Sequence, residues 1–292
     1  MDRLDPATTR VLVVGLGLMG GSYARALTEQ GFSVTAADRD PAALAYALER
    51  GWIADGTAAP ARDDVAAASL VVFALYPHAF VEWVREHRAD FRPGTLLTDV
   101  TGVKQGVVDE VQALLPDGIE FVAAHPMAGR ERSGIAYADP ALFRGANYIV
   151  TPTPRNSPAA VERCKHLGAL LGFARISVLS PAEHDEMVAF LSQLTHCIAV
   201  SLMACKDAPD LVRYTGDSFR DLTRIADIND AMWAELFLMN REPLLRQMDL
   251  FAAAFASLRN AVARGDADTM RTMMRLSSAR RRLFGPASSP VQ

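Results

Sequence analysis

Ten consecutive residues, His125-Pro126-Met127-Ala128-Gly129-Arg130-Glu131-Arg132-Ser133-Gly134, gather an imidazole, a carboxylate, two guanidiniums and two glycines. A mostly apolar run, Ile119 to Ala124, leads into them, so the group falls where a buried strand is predicted to end. In an open α/β sheet, ligands bind at the carboxyl ends of the strands, and a histidine there can reach substrate. Its ring changes charge near neutral pH, which is useful only where a site needs it. Alone, His125 reads equally well as a hydrogen-bonded loop histidine. The elements around it decide between the two.

Residues 11–14 are an apolar strand, followed by Gly15-Leu16-Gly17-Leu18-Met19-Gly20-Gly21-Ser22 and then by a helical pattern in Tyr23, Ala24, Ala26 and Leu27. Gly-x-Gly-x-x-Gly between strand and helix suits a dinucleotide. Gly15 permits the tight turn, Gly17 lets the backbone approach a pyrophosphate, and Gly20 lets the helix pack on the strand. The helix N-terminus then offers amides and partial positive charge to the phosphates. The next strand, 32–37, ends in Asp38. An acidic side chain at this spacing accepts hydrogen bonds from the adenosine ribose and repels a 2′-phosphate, which selects NAD over NADP. Arg39 is the neighbour that could tolerate the phosphate. The predicted cofactor-binding set is Gly15, Leu16, Gly17, Leu18, Met19, Gly20, Asp38 and Arg39, with Tyr76 and Pro77 at the end of the strand 70–75.

The same rhythm continues through a helix at 41–50, a helix at 80–87, a strand at 95–100 and a helix at 105–115 before the strand that leads to His125. One further strand is predicted at 148–152, a helix at 161–171 and a last short strand at 175–179. Short apolar strands alternating with helices predict an α/β fold: a Rossmann-type, doubly wound, mostly parallel sheet. His125, Thr101 and Pro77 then share one sheet edge with the glycine loop. From Ser180 onward the pattern is helical, opening with Ser180 as N-cap, Pro181 at the first position and Glu183 three on. Residues 187–204 are apolar almost all round, which predicts burial against a core or another subunit. The expected organisation is a dinucleotide-binding domain over 1–178 and an all-helical substrate and dimerisation domain over 179–292.

The chain has 292 residues, a net charge of −4 and 22% charged residues. Without concentrated positive charge it is not expected to bind nucleic acid. No signal-peptide pattern opens it and no run of ~18 uninterrupted apolar residues occurs, so a cytoplasmic protein without a membrane partner is expected. Three cysteines without Cys-x-x-Cys spacing fit a reducing compartment, with Cys197 and Cys205 read as small core residues. No metal ligand set is predicted. His78 and His87 read as surface residues, and His184 as structural. His196 reads first as a satisfied core histidine. Arg220 and Arg224, four apart, share a helix face, and Asp221 could orient Arg224; this is either a carboxylate clamp or an ordinary salt-bridged helix.

Taken together, Gly15–Ser22, Asp99–Lys104, His125–Gly134, Leu179–Asp185, Ser192–His196 and Phe219–Ala226, with Met232-Trp233 after them, resemble the prephenate/arogenate dehydrogenase family over nearly the whole chain. The resemblance implies a homodimer built by the helical domain, with the active site between the two domains. It implies that His125 is the catalytic histidine and His196 a second site histidine. Arg224 is the implied holder of the substrate carboxylate. Glu131 and Asp221 match its ionic network, with Gln193 and Ser133 also on the substrate side.

Two departures stand out. Where the family has Gly-Ser before Val-Lys, this chain has Thr101-Gly102, so either Thr101 supplies the hydroxyl from a shifted backbone or that role is vacant. Where the family has Ser-His-Leu-Pro-His, this chain has Ser192-Gln193-Leu194-Thr195-His196.

The implied activity is oxidative decarboxylation of prephenate to 4-hydroxyphenylpyruvate with NAD in tyrosine biosynthesis. Neutral His125 takes the ring hydroxyl's proton as hydride leaves C4 for the nicotinamide; the developing dienone accepts electrons, carbon dioxide departs and the ring aromatises. Arogenate or an aminodeoxy analogue of prephenate is the alternative substrate. A β-hydroxyacid dehydrogenase and a non-catalytic NAD-sensing protein are more distant readings.

Overall fold

The β-branched runs at 11–14 and 70–73 are apolar on both faces, as a strand covered by helices on both sides must be. In the computed structural model, which describes residues 3–130, 132–207 and 209–284, they pair with each other at the centre of a sheet. The elements are β1 (Arg10–Val14), α1 (Leu18–Glu29), β2 (Ser33–Ala37), α2 (Pro41–Glu49), β3 (Asp55–Thr57), α3 (Arg62–Ala67), β4 (Leu70–Phe73), α4 (Pro77–His87), β5 (Leu96–Asp99), α5 (Gln105–Leu114) and β6 (Glu120–Phe121). Their sheet has the order β3-β2-β1-β4-β5-β6 and every pair is parallel. This is the Rossmann-like sheet expected, with the order reversing between β1 and β4. The glycine loop lies at that switch point.

The apolar run before His125 does not form one strand. It divides at Val122, whose N–H donates to Leu97 O at 3.0 Å, into β6 and a separate β7 (Ala123–Pro126). β7 turns into a second sheet of order β7-β8-β9 with β8 (Asn147–Thr151) and β9 (Arg175–Val178). β7 runs antiparallel to β8, and His125 stands opposite Ile149. The strand 148–152 is therefore antiparallel to the strand it neighbours, which apolar alternation alone does not distinguish. α6 (Pro158–Leu170) connects β8 to β9, and its Gly168 packs on the Tyr148 ring, where a Cβ would come within 2.4 Å.

After β9 the chain is helical: α7 (Pro181–Val188), a π turn over Ala189–Gln193, α8 (Leu194–Ala204), α9 (Asp217–Thr223), α10 (Asp230–Met239), α11 (Arg241–Arg264) and α12 (Ala267–Leu283). Ser180 and Glu183 form the expected capping box: Ser180 N–H donates to Glu183 Oε2 at 2.8 Å and Glu183 N–H to Ser180 Oγ at 3.3 Å. The run Pro181–Ala204 is long and apolar enough to cross a membrane by length and composition. A helix that packs against a partner passes the same test, and the buried His184 and Asp185 in its first turns are bonded to one another. Cys164 is buried, whereas Cys197 is half-buried and Cys205 exposed, which corrects the reading of the last as a core residue. It sits at the C-cap of α8, beyond the last buried turn.

The chain forms two compact units, residues 1–241 and 242–292. The second holds most of α11 and α12; Asp266 caps α12 through the N–H of Thr269 at 3.0 Å, and Arg280, Arg281 and Arg282 lie in its last turn, where the helix dipole favours cations.

Candidate active site

The glycine loop is built as its sequence requires. Gly15 has φ +92°, and a Cβ on it would approach Ala74 O to 2.5 Å; a Cβ on Gly20 would approach Gly15 O to 1.7 Å. Gly17, the N-cap of α1, faces open space, which leaves its backbone accessible to a phosphate. Asp38 closes the loop from β2: its carboxylate accepts the N–H of Leu16 at 2.5 Å and of Asp40 at 2.8 Å. Tyr76 and Pro77 begin α4, and Asn229 Nδ2 donates to Tyr76 Oη at 3.0 Å. His78 is exposed yet engaged, its backbone N–H and its ring both contacting Glu235 Oε1. His87 is half-buried between Trp83 and Asp90.

Beneath the same edge lies a buried charged cluster that pattern reading missed. Asp99, the last residue of β5, and Lys104, just before α5, are both fully buried and joined at 2.6 Å. Lys104 Nζ also donates to Ala124 O at 2.6 Å and to Thr101 Oγ1 at 3.1 Å, while Asp99 Oδ1 accepts the N–H of Ala124 at 3.0 Å. The cluster thereby ties β5 to β7 immediately before His125. Burial pushes the Lys104 ammonium below its ordinary range, against the opposing pull of Asp99.

The Thr101 hydroxyl bonds Asp99 Oδ2 and lies 2.9 Å from Val103 O, so it is committed to this cluster instead of to the His125 ring. The hydroxyl expected to act in catalysis is thus engaged by two buried acceptors and an ammonium. Gly102 is the residue that faces the ring. A Cβ there would lie 4.0 Å from His125 Cε1 and 3.5 Å from Leu236 Cδ1, ordinary contact distances. Gly102→Ser is accordingly expected to fold normally, with a thermal midpoint within about 3 °C of the parent, roughly 1 kcal/mol for a chain of this size. A larger loss in a melting scan would mean that the space beside His125 is smaller than these distances indicate.

His125 is half-buried at the site. Its Nδ1 lies 2.8 Å from His184 Nε2, and His184 Nδ1 lies 2.8 Å from Asp185 Oδ1. Burial, with the nearness of His184 and the Lys104 ammonium adding to it, holds His125 well below the usual imidazole range; burial also lowers His184, against the pull of Asp185. A neutral imidazole at this edge can accept a proton at physiological pH.

From the helical segments, His196 Nδ1 donates to Ser192 O at 2.9 Å and its ring lies on Trp233, centroids 3.7 Å apart. Arg224 begins a short 3-10 turn that packs against α8, the helix carrying His196. α9 ends at Thr223, so Arg220 and Arg224 do not continue one α-helix, and Arg220 pairs with Asp217 at 2.9 Å. Asp221 and Ser133 are exposed. Glu131 lies outside the described residues. Gln193 is buried: its amide donates to Leu236 O at 3.1 Å and accepts from Asn240 Nδ2 at 2.7 Å. The π turn that carries it aims the amide expected to meet substrate at α10 and its C-cap.

A dinucleotide loop, a neutral histidine at the carboxyl edge of the strands and a following helical segment define the class: a two-part nucleotide-dependent oxidoreductase fold. Comparison with known proteins narrows it. The prephenate dehydrogenase nucleotide-binding domain matches residues 23–177 and the prephenate dehydrogenase dimerization domain matches residues 180–276. The chain belongs to the prephenate dehydrogenase family. It is 32% identical to a prephenate dehydrogenase of Bacillus subtilis over 89% of this chain and 72% of that one. It is 29% identical to a cyclohexadienyl dehydrogenase of Zymomonas mobilis over 88% and 90%. Among solved structures, prephenate dehydrogenase from A. aeolicus in complex with hydroxyphenyl propionate and NAD+ superposes with a TM-score of 0.87 at 26% identity, covering 95% of this chain and 98% of that one.

Proposed function

We propose that this chain is an NAD-dependent prephenate dehydrogenase of tyrosine biosynthesis, converting prephenate to 4-hydroxyphenylpyruvate and carbon dioxide. The observation that carries the reading is His125 near the end of β7, bonded through Nδ1 to His184 and held by burial below the usual imidazole range, in a strand that follows directly on the sheet carrying the glycine loop. The residues suit NAD: open space at Gly17 admits a pyrophosphate and Asp38 lies against the loop where a ribose would sit. When bound, NAD supplies the hydride acceptor for oxidation at C4. His125 Nε2 accepts the proton of the C4 hydroxyl, so electron density collects as a carbonyl across the ring from the carboxylate that departs. Arg224 holds a substrate carboxylate through its planar fork, and His196 presents a ring fixed by Ser192 and Trp233. Ser133 and Asp221 complete the polar surround, and Glu131 is assigned to the same ionic network by the family resemblance alone.

The functional division of the chain is at 178/179, which the bounds of the two family matches support. The helical part forms a homodimer, consistent with the exposed Phe190, Leu191, Met203, Phe251 and Phe255 and with the dimerization-domain match. Free cysteines suit a cytoplasmic enzyme.

Steady-state NADH formation with prephenate and with arogenate, each against NAD and NADP, tests the reading. Turnover of prephenate with NAD supports it; preference for arogenate keeps the chemistry and moves the substrate; no turnover with any pair overturns it. Asp38→Ala is expected to lower the preference for NAD over NADP about tenfold, the worth of one charged hydrogen bond of ~1.5 kcal/mol. Unchanged selectivity in the ratio of kcat/KM values would remove Asp38 from ribose recognition.

A further inference from the structure

We propose that His184 and Asp185 are positioning residues that fix the tautomer of His125, holding a proton on its Nδ1 and leaving Nε2 as the bare acceptor that faces the substrate. Hydrogen-bond chemistry along the chain of contacts forces this assignment. An ionised carboxylate only accepts, so the hydrogen between His184 Nδ1 and Asp185 Oδ1, 2.8 Å apart, belongs to His184. A neutral His184 protonated at Nδ1 has a lone pair at Nε2. The 2.8 Å contact from that atom to His125 Nδ1 is then a hydrogen bond only if His125 donates it. His125 in turn keeps its lone pair at Nε2.

Asp185 is itself immobilised. Its Oδ1 accepts the N–H of Lys104 at 2.8 Å and its Oδ2 that of Gln105 at 2.8 Å, so it caps α5 while orienting His184. Its backbone carbonyl accepts from Asn240 Nδ2 at 2.9 Å. The ordering therefore runs from the N-terminus of α5 and the end of α10 through Asp185 and His184 to His125. It carries added weight in this chain because Gly102 brings no side-chain hydroxyl to the ring and the Thr101 hydroxyl is held by the Asp99–Lys104 cluster. Among the described residues, His184 is the one hydrogen-bonding partner of the His125 ring. When His125 takes up the substrate proton, the Asp185 carboxylate two hydrogen bonds away offsets the charge.

The kinetic consequence rests on the dehydrogenase reading above; the tautomer does not, so the test separates them. The full-length protein is labelled with 15N-histidine, and the ring nitrogen shifts of wild type, His184→Phe and His184→Gln are recorded, with His125→Asn used for assignment. His125 is expected to be protonated at Nδ1 in the wild type and in His184→Gln, whose amide oxygen keeps an acceptor in place. It is expected to become a mixture of tautomers in His184→Phe, which keeps the ring volume without the acceptor. With NAD and prephenate, His184→Phe is expected to lower kcat about 10–100-fold, as loss of an orienting partner does elsewhere, with KM for NAD within about twofold and His184→Gln recovering most of the loss.

A wild-type His125 protonated at Nε2 overturns the proposal, as does a kcat for His184→Phe within about threefold of the parent. If His184→Phe does not fold, the wild-type and His184→Gln spectra still decide the tautomer. If no substrate turns over, the spectra decide it while the dehydrogenase reading fails separately.

Discussion

His125→Asn is expected to lower kcat about 10³–10⁴-fold while leaving NAD affinity nearly unchanged, the upper range for removal of a positioned general base. Asparagine keeps a hydrogen-bonding side chain of similar reach but cannot take up a proton. The glycine loop, whose Gly17 faces open space and whose Leu16 amide meets Asp38, shares no hydrogen bond with the His125 ring, so cofactor titration should be blind to the substitution. The pH dependence follows from the same ring. Burial, with His184 and the Lys104 ammonium close by, lowers the His125 pKa, so the base-competent neutral form persists on acidification below the ordinary imidazole value of about 6.5. In the parent enzyme the acid limb of log kcat/KM therefore lies below that value, and activity is level from there to neutral pH. An acid limb centred above pH 6.5, or a variant that loses NAD and turnover together, would remove His125 from the role of base.

Lys104→Met is expected to destabilise the protein by about 3–5 kcal/mol, because it strands the Asp99 carboxylate without its cation in a place no water reaches. Both partners are fully buried. The methionine stem can replace the aliphatic part of the lysine but not the donors to Asp99, Thr101 and Ala124 O. For a chain of this length such a loss corresponds to a fall of roughly 6–20 °C in thermal midpoint. Pairing it with Asp99→Leu should restore part of the loss, since replacing both members of a buried pair costs less than orphaning one. A fall of less than about 2 °C for the single variant would show that the carboxylate finds another partner or a proton. Activity should drop with stability here, because the ammonium anchors the carbonyl of Ala124, the residue before His125.

Much of the architecture is legible in local pattern. The glycine loop, the run of parallel strands, the acidic end of β2 and the capping box at Ser180 each depend on residues a few positions apart, and short-range sterics and hydrogen bonding suffice to specify them. The candidate base is legible for the same reason: a strand followed by polar residues and glycines ends at an edge. What pattern could not supply is everything made by residues distant in the chain. The break at Val122 that moves His125 into a second sheet depends on pairing with β8, which lies after the loop it must close. His184 and Asp185 look like an ordinary first helical turn, and only the approach of α7 to β7 and α5 turns them into partners of His125, Lys104 and Gln105. The fates of Thr101 and Gln193 were undecidable for the same reason. A hydroxyl or an amide bonds whatever buried partner the packing brings within 3 Å, and here that partner is the Asp99–Lys104 pair for one and α10 for the other. A side chain's type sets which bonds it can make; long-range packing, driven by the burial of two apolar faces per strand, selects which of them it does make.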